Sequence, residues 1–306
     1  MQRFKSILFV PLANRGNPAA IRRVTELARG SGAKLTLFGV AGEPTRLQRL
    51  FDRDGLVEDA VLAERARMDK LLQRWAARES TDADVDVEVG DVALRIIERV
   101  LAGSHDLVVV TSDEDAEDQA SIRRLLRKCP CPVWVIRPTR ARTQRVLAAV
   151  NPDPDEAELN RTILELAASM VHLHGGELHV VHAWALYGES ALRSSGFMHV
   201  DTAELSTLLE QERGRHETAL QDLLMSSHLA HEPWQVHLLK GPAAQVVPAL
   251  VAKRSINVLV MGTVARTGVS AMVMGNTAER VLDAVHCSVI AIKPPGFVSP
   301  IRPRSA

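Results

Sequence analysis

Two kinds of apolar pattern alternate along this chain. Short unbroken runs such as Ile7-Leu8-Phe9-Val10 give way to apolar positions three and four apart, as at Ala20, Ile21, Val24, Leu27 and Ala28. The first pattern belongs to a strand covered on both faces, the second to an amphipathic helix. Gly30 and Gly32 close that helix as C-terminal glycines do, and Lys34 to Val40 then predicts a second strand.

The same order returns in the second half. Val146 to Val150 reads as a strand, and Ile163, Leu164, Ala167, Met170 and Val171 as a helical stripe. Gly175 and Gly176 end it, and Glu177 to His182 reads as the next strand. Val85 to Asp91 matches Val236 to Pro242, each a strand ending in glycine. Asp106 to Val110 matches Asn257 to Met261. Cys131-Pro132-Val133 through Ile136-Arg137-Pro138 matches Cys287-Ser288-Val289 through Ile292-Lys293-Pro294. An internal repeat of this length marks two copies of one domain.

Each copy predicts strand, helix, strand, long helix, strand, helix, strand, helix, strand. The long helices are expected over Glu58 to Arg78 and Asp201 to Met225. Such alternation defines an α/β class, with a five-stranded parallel sheet and right-handed crossovers in each copy. The expected domains are residues 1–138 and 144–295, with Pro138 to Thr143 as linker, and the proline-containing tail after Pro294 is expected to be disordered.

Composition narrows the function. Hydrophobic residues make up 46% and charged residues 24%, the mix of a soluble globular protein. The formal net charge is zero, which excludes the basic face of a nucleic-acid binder and a polybasic membrane anchor. No apolar run reaches the length of about 18 residues that suggests a membrane span. Three cysteines are too few for a disulfide framework and suit a reducing compartment, so a cytoplasmic location is expected.

In open α/β sheets ligands bind beyond the C-terminal ends of the strands. The loops to inspect follow Val150, Val181 and Met261. The last runs Met261-Gly262-Thr263-Val264-Ala265-Arg266-Thr267-Gly268 and on to Gly275-Asn276-Thr277. Small residues let backbone approach a ligand, and the helix expected to start at Asn276-Thr277 offers N–H groups to an anion. Asn276 and Thr277 also suit an N-cap.

These residues resemble the universal stress protein family. The spacing Gly262-x2-Ala265-x9-Gly275-Asn276-Thr277 is similar to the Gly-x2-Gly-x9-Gly-Ser/Thr nucleotide loop of its ATP-binding members. Both halves follow the family order, and the loop looks like the tandem UspE type. The resemblance implies two Rossmann-like domains of the adenine-nucleotide alpha hydrolase kind, related by a pseudo-twofold. Pairing would run through their last strands, Val133 to Ile136 and Val289 to Ile292, with a homodimer as a further option. It also implies a stress-response sensor that binds ATP or a related phosphorylated ligand, with or without Mg2+. Asn151, Met261, Gly262, Ala265, Arg266, Gly275, Asn276 and Thr277 would form the site. Backbone N–H groups and hydroxyls would hold phosphate, Arg266 would add charge, and Asn151 would contact the nucleoside.

Three departures bear on that reading. Ala265 replaces the second motif glycine. Asn151 stands where ATP binders usually carry Asp, and Ala13 stands at that place in the first half. The first half lacks the glycine loop and has Thr111-Ser112-Asp113-Glu114-Asp115-Ala116-Glu117-Asp118 instead. Its five carboxylates would repel a triphosphate, so the first domain is expected to bind no nucleotide and to serve as a structural or partner-binding half.

Other signals weigh less. Ten of eleven histidines lie in the second half, but His179 and His182 point to opposite strand faces and no Cys/His spacing fits zinc. Cys129-Pro130-Cys131 reads as buried structural thiols, with a redox pair as the rival. Asn160-Arg161-Thr162 has the glycosylation spelling but falls in a predicted helix. No nucleophile–base pair can be assembled, so enzymatic activity would not exceed slow ATP hydrolysis. Two alternatives stay open: a scaffold that binds a protein partner and no nucleotide, and a binder of an amphiphilic nucleotide-sugar or acyl ligand covered by Trp184 to Val200.

Overall fold

The computed structural model describes residues 4–12, 18–44, 55–112, 116–139, 141, 143–194, 201–227, 229–263 and 274–302. They form two compact units. No described helix is long and apolar enough to cross a membrane.

The first unit runs β1 (Ser6–Pro11), α1 (Pro18–Ser31), β2 (Lys34–Ala41), α2 (Leu56–Arg78), β3 (Ala83–Val89), α3 (Val92–Gly103), β4 (Leu107–Thr111), α4 (Ala116–Lys128) and β5 (Val133–Ile136). Its sheet has the order β3-β2-β1-β4-β5, all parallel. Ile7, Leu8 and Phe9 are fully buried, as an unbroken apolar run requires when helices cover both faces. The Phe9 and Trp75 rings meet at 6.3 Å and join β1 to the long helix α2. Asp91 caps α3 by accepting from the Leu94 N–H at 2.9 Å.

The second unit runs β6 (Arg145–Ala149), a 3-10 turn at Pro154–Glu156, α5 (Ala157–His174), β7 (Glu177–Trp184), α6 (Glu189–Ser194), α7 (Thr202–Ser226), β8 (Trp234–Lys240), α8 (Ala243–Lys253), β9 (Val258–Gly262) and α9 (Asn276–Ala284). Its parallel order is β9-β6-β7-β8. The last strand of the second repeat, β10 (Ser288–Ile292), is found in the first unit. It runs antiparallel to β5, with Ile290 opposite Trp134.

The repeat extends to side-chain work. Asp106 accepts from the Lys5 and Ser6 N–H groups at 2.7 and 3.0 Å and pins the entry to β1. Asn257, at the matching position, accepts from the Arg145 N–H at 3.0 Å and pins the entry to β6.

Some details differ from the sequence expectation. β7 continues two residues past His182, because Ala183 and Trp184 keep their ladder with Leu239 and Lys240. Glu117 and Asp118 belong to α4 rather than to a loop, while Asp113, Glu114 and Asp115 lie outside the described residues. The stretch after Pro294 is described as far as Arg302. The Phe297 N–H donates to the Pro294 carbonyl at 3.2 Å, and the Lys293 ammonium lies 4.8 Å from the Phe297 ring centre. One aromatic ring gives that proline-containing stretch something to pack against.

Candidate functional site

The second unit reverses its strand order at β6. The chain proceeds from β6 to β7 and β8 on one side, then returns to place β9 on the other. That reversal leaves a crevice beyond the C-terminal ends of β6 and β9. Ala149 and Met261 are neighbours in the ladder, so the loops starting at Val150 and Gly262 are its two lips.

The β6 lip is held by two buried side chains, Asn160 and His182, and one exposed one, Asp153. Asn160, on the first turn of α5, is fully buried. Its Oδ1 accepts from the Asn151 N–H at 3.1 Å, and its Nδ2 donates to the Asn151 carbonyl. The Asn151 side chain itself is exposed. Asp153 then accepts from the Asp155 N–H at 3.0 Å and turns the chain into the 3-10 segment. From the opposite side, His182 Nδ1 donates to the Val150 carbonyl at 3.2 Å.

The β9 lip is closed at its neck. The Gly275 N–H donates to the Thr263 carbonyl at 3.0 Å, which returns the chain to the sheet just as α9 begins. Gly275 is the residue before the helix, and Asn276 and Thr277 are exposed on its first turn. The first N–H groups of a helix have no partner within it and carry the positive end of its dipole. The crevice thus places an exposed amide, Asn151, and a helix N-terminus on adjacent strand ends.

Of the residues expected to form the site, Asn151 follows β6, while Gly262, Gly275, Asn276 and Thr277 lie at the end of the neighbouring β9 and the start of α9. Met261 is buried within β9, so its side chain belongs to the core beneath the lip. Ala265 and Arg266 lie outside the described residues, as does Ala13. Gly262 has a packing reason of its own: a Cβ there would stand 2.9 Å from Leu159 Cδ2. Gly275 has φ −67°, which any residue adopts. Asn160 is the positioning residue that its glycosylation spelling concealed. Its signal was position, since it falls three before Ile163 and four before Leu164 on the buried stripe.

Below β7 the polar groups continue. His182 Nε2 and His216 Nδ1 of α7 are 2.8 Å apart. Trp184 stacks on the His216 ring at 5.7 Å, and Lys240 lies over Trp184 while pairing with Glu189 at 2.7 Å. Burial pushes the His182 pKa down to about 4; the Val150 carbonyl works against that shift and His216 adds to it. His182 is therefore neutral at pH 7. Among the described residues no group of three or more His, Cys, Asp or Glu side chains is arranged to hold a metal ion.

The first unit has its own reversal, between β1 and β4. There Ser112 is buried, donates its N–H to the Ile136 carbonyl at 3.1 Å and accepts from Gln119 at 3.3 Å.

A tandem, doubly wound α/β protein with a helix N-terminus at the switch point of one unit is the class defined by these features. The profile described as the universal stress protein family matches residues 4–137 and again 142–293, and the chain belongs to that family. It is 28% identical to universal stress protein E of Salmonella typhi and 27% identical to that of Escherichia coli K12, each over 98% of both chains. Among solved structures, a universal stress protein from Pseudomonas aeruginosa UCBPP-PA14 is 26% identical, with a TM-score of 0.69 over 96% of this chain and 94% of that one.

Proposed function

We propose that this stress protein is a sensor whose second unit binds ATP or a related phosphorylated ligand at the β6/β9 crevice. The observation that carries the reading is that Asn151 and the α9 N-terminus follow neighbouring strands at one switch point, with the neck closed by Gly275 and Thr263. The backbone N–H groups of Asn276 and Thr277 would face phosphate, the Thr277 hydroxyl would assist, and Arg266 would add charge. Asn151 would meet the nucleoside, with Mg2+ as the counterion of the phosphates. Helix N-termini hold anions without further charge, so the site needs no catalytic group. The first unit would bind no nucleotide and would act as a structural or partner-binding half. The three cysteines form no disulfide, which would suit work in the reducing cytoplasm.

A second reading rests on Gly262 and Gly275. Leu159 explains the first, and the backbone of the second needs no glycine, so two motif glycines fit a protein-binding scaffold as well. An amphiphilic ligand would instead use Leu186 and the fully exposed Tyr187 beside the crevice. Native mass spectrometry of the stripped protein with ATP separates these readings. One nucleotide per chain supports the sensor; none at millimolar ATP leaves the scaffold or the amphiphile.

A further inference from the structure

Strand β7 carries two buried histidines on opposite faces, and each is bonded to a second imidazole. His179 Nδ1 is 3.1 Å from His237 Nε2 of β8. His182 Nε2 is 2.8 Å from His216 Nδ1 of α7. The second pair joins the 25-residue helix α7 to the sheet. That helix is polar over much of its surface, and its buried apolar anchors are Leu205, Leu220 and Leu224.

We infer that the His182–His216 pair is an acid-released latch, holding α7 on β7 while it carries no more than one extra proton and releasing the helix when it must carry two. The hydrogen inventory dictates this. A carbonyl only accepts, so Val150 requires the hydrogen of neutral His182 on Nδ1 and leaves Nε2 as an acceptor. His216 Nδ1 donates to it. His216 Nε2, which faces Glu212 Oε1 at 3.5 Å, has room for one further hydrogen. A second must enter at His182 Nε2. It then opposes the His216 N–H across 2.8 Å, with two positive charges and no acceptor between them.

The surroundings do not absorb that charge. Glu212 is already shared with Arg215 at 3.2 Å, and Arg213 pairs with Glu210 at 3.8 Å. From β8, Lys240 lies 6.0 Å from the Trp184 ring centre and pairs with Glu189 of α6. Just past β6 the Val150 carbonyl meets His182, and Arg145 is paired with Glu177 at the strand's other end. On the far face stand His179, His237 and Glu177, with Lys253 and Arg254 from the end of α8. Helix α5 contributes His172, which pairs with Glu232 at 2.9 Å. Burial holds His182 neutral until well below its ordinary range, so the release belongs to strong acidification. The latch needs no ligand, and it stands whether or not the crevice binds nucleotide.

Amide hydrogen exchange on the full chain tests it, at about pH 7.5 and about pH 4.5, corrected for intrinsic rates. Protection over residues 202–226 is expected to fall about tenfold or more in acid while α4 of the first unit keeps its protection. In His182→Gln the side-chain amide accepts from His216 without titrating, and α7 should stay protected at both values. Equal protection of α7 at both pH values in the wild type overturns the latch, as does an acid response undiminished in His182→Gln. A wild-type NMR titration covers a variant that does not fold. The His182 ring must take up its proton in the range where α7 loses protection, and titration elsewhere defeats the idea.

Discussion

One amide, that of Asn160, satisfies both the N–H and the C=O of Asn151, so the residue expected to meet a ligand is fixed by its backbone and free at its side chain. Replacing Asn160 by Leu keeps the volume but removes both bonds from a buried position. The Asn151 carbonyl keeps its bond from the Asp153 N–H at 2.7 Å, but the Asn151 N–H loses its partner, at a cost of about 1–3 kcal/mol. Urea unfolding of Asn160→Leu should show that loss, and a change within error of zero would mean the clamp is dispensable.

Gly176 turns α5 into β7 with φ 133°, and a Cβ there would lie 2.0 Å from the Gln144 carbonyl oxygen. The obstacle is backbone, which cannot rotate away. Gly176→Ala should therefore cost about 3 kcal/mol or more, combining strain and overlap. Soluble, wild-type-like stability of that variant in a thermal melt would show that the turn is built differently.

Acid should weaken the fold through His182. Its pKa is lowered on folding from 6.5 to about 4, so the unfolded chain binds the proton more readily. The stabilisation from this group is complete above pH 6.5 and is lost as pH falls toward 4, amounting to about 3 kcal/mol. Urea midpoints across that range, compared between wild type and His182→Gln, read it directly. Parallel curves for the two proteins would remove His182 from the acid limb.

The thiols should sort by burial. Cys129 and Cys131 are buried with their sulfurs 3.6 Å apart, and the bond from Cys129, together with burial, pushes the Cys131 thiol up. Cys287 is only half-buried. A thiol reagent near neutral pH should label Cys287 first and the other pair only on unfolding, since thiolate and access are both needed. Rapid labelling of all three in the native protein would contradict the packing around β5.

The strands and helices were legible because apolar runs and three-four spacing are local, and the repeat gave each assignment a second witness. Asp106 and Asn257 do matching work at matching positions. The site was legible as a loop and a helix start, but its supports were not. Asn160 reaches Asn151 nine residues away, and His216 reaches His182 across 34. Both contacts depend on how α5 and α7 lie on the sheet, which no window of sequence contains. The strand expected to end at His182 runs on to Trp184, and His182 is buried with both ring nitrogens hydrogen-bonded.

The central claim concerns the β6/β9 crevice, and isothermal titration with ATP tests it most directly. Stripped wild-type protein and Gly275→Glu would be titrated with and without Mg2+. The backbone at Gly275 accepts a glutamate without strain, so the variant should fold and place a carboxylate at the helix start, where phosphate would lie. The account predicts one site per chain in the wild type and none in the variant. No heat at millimolar ATP in the wild type, or equal binding by both proteins, would contradict it.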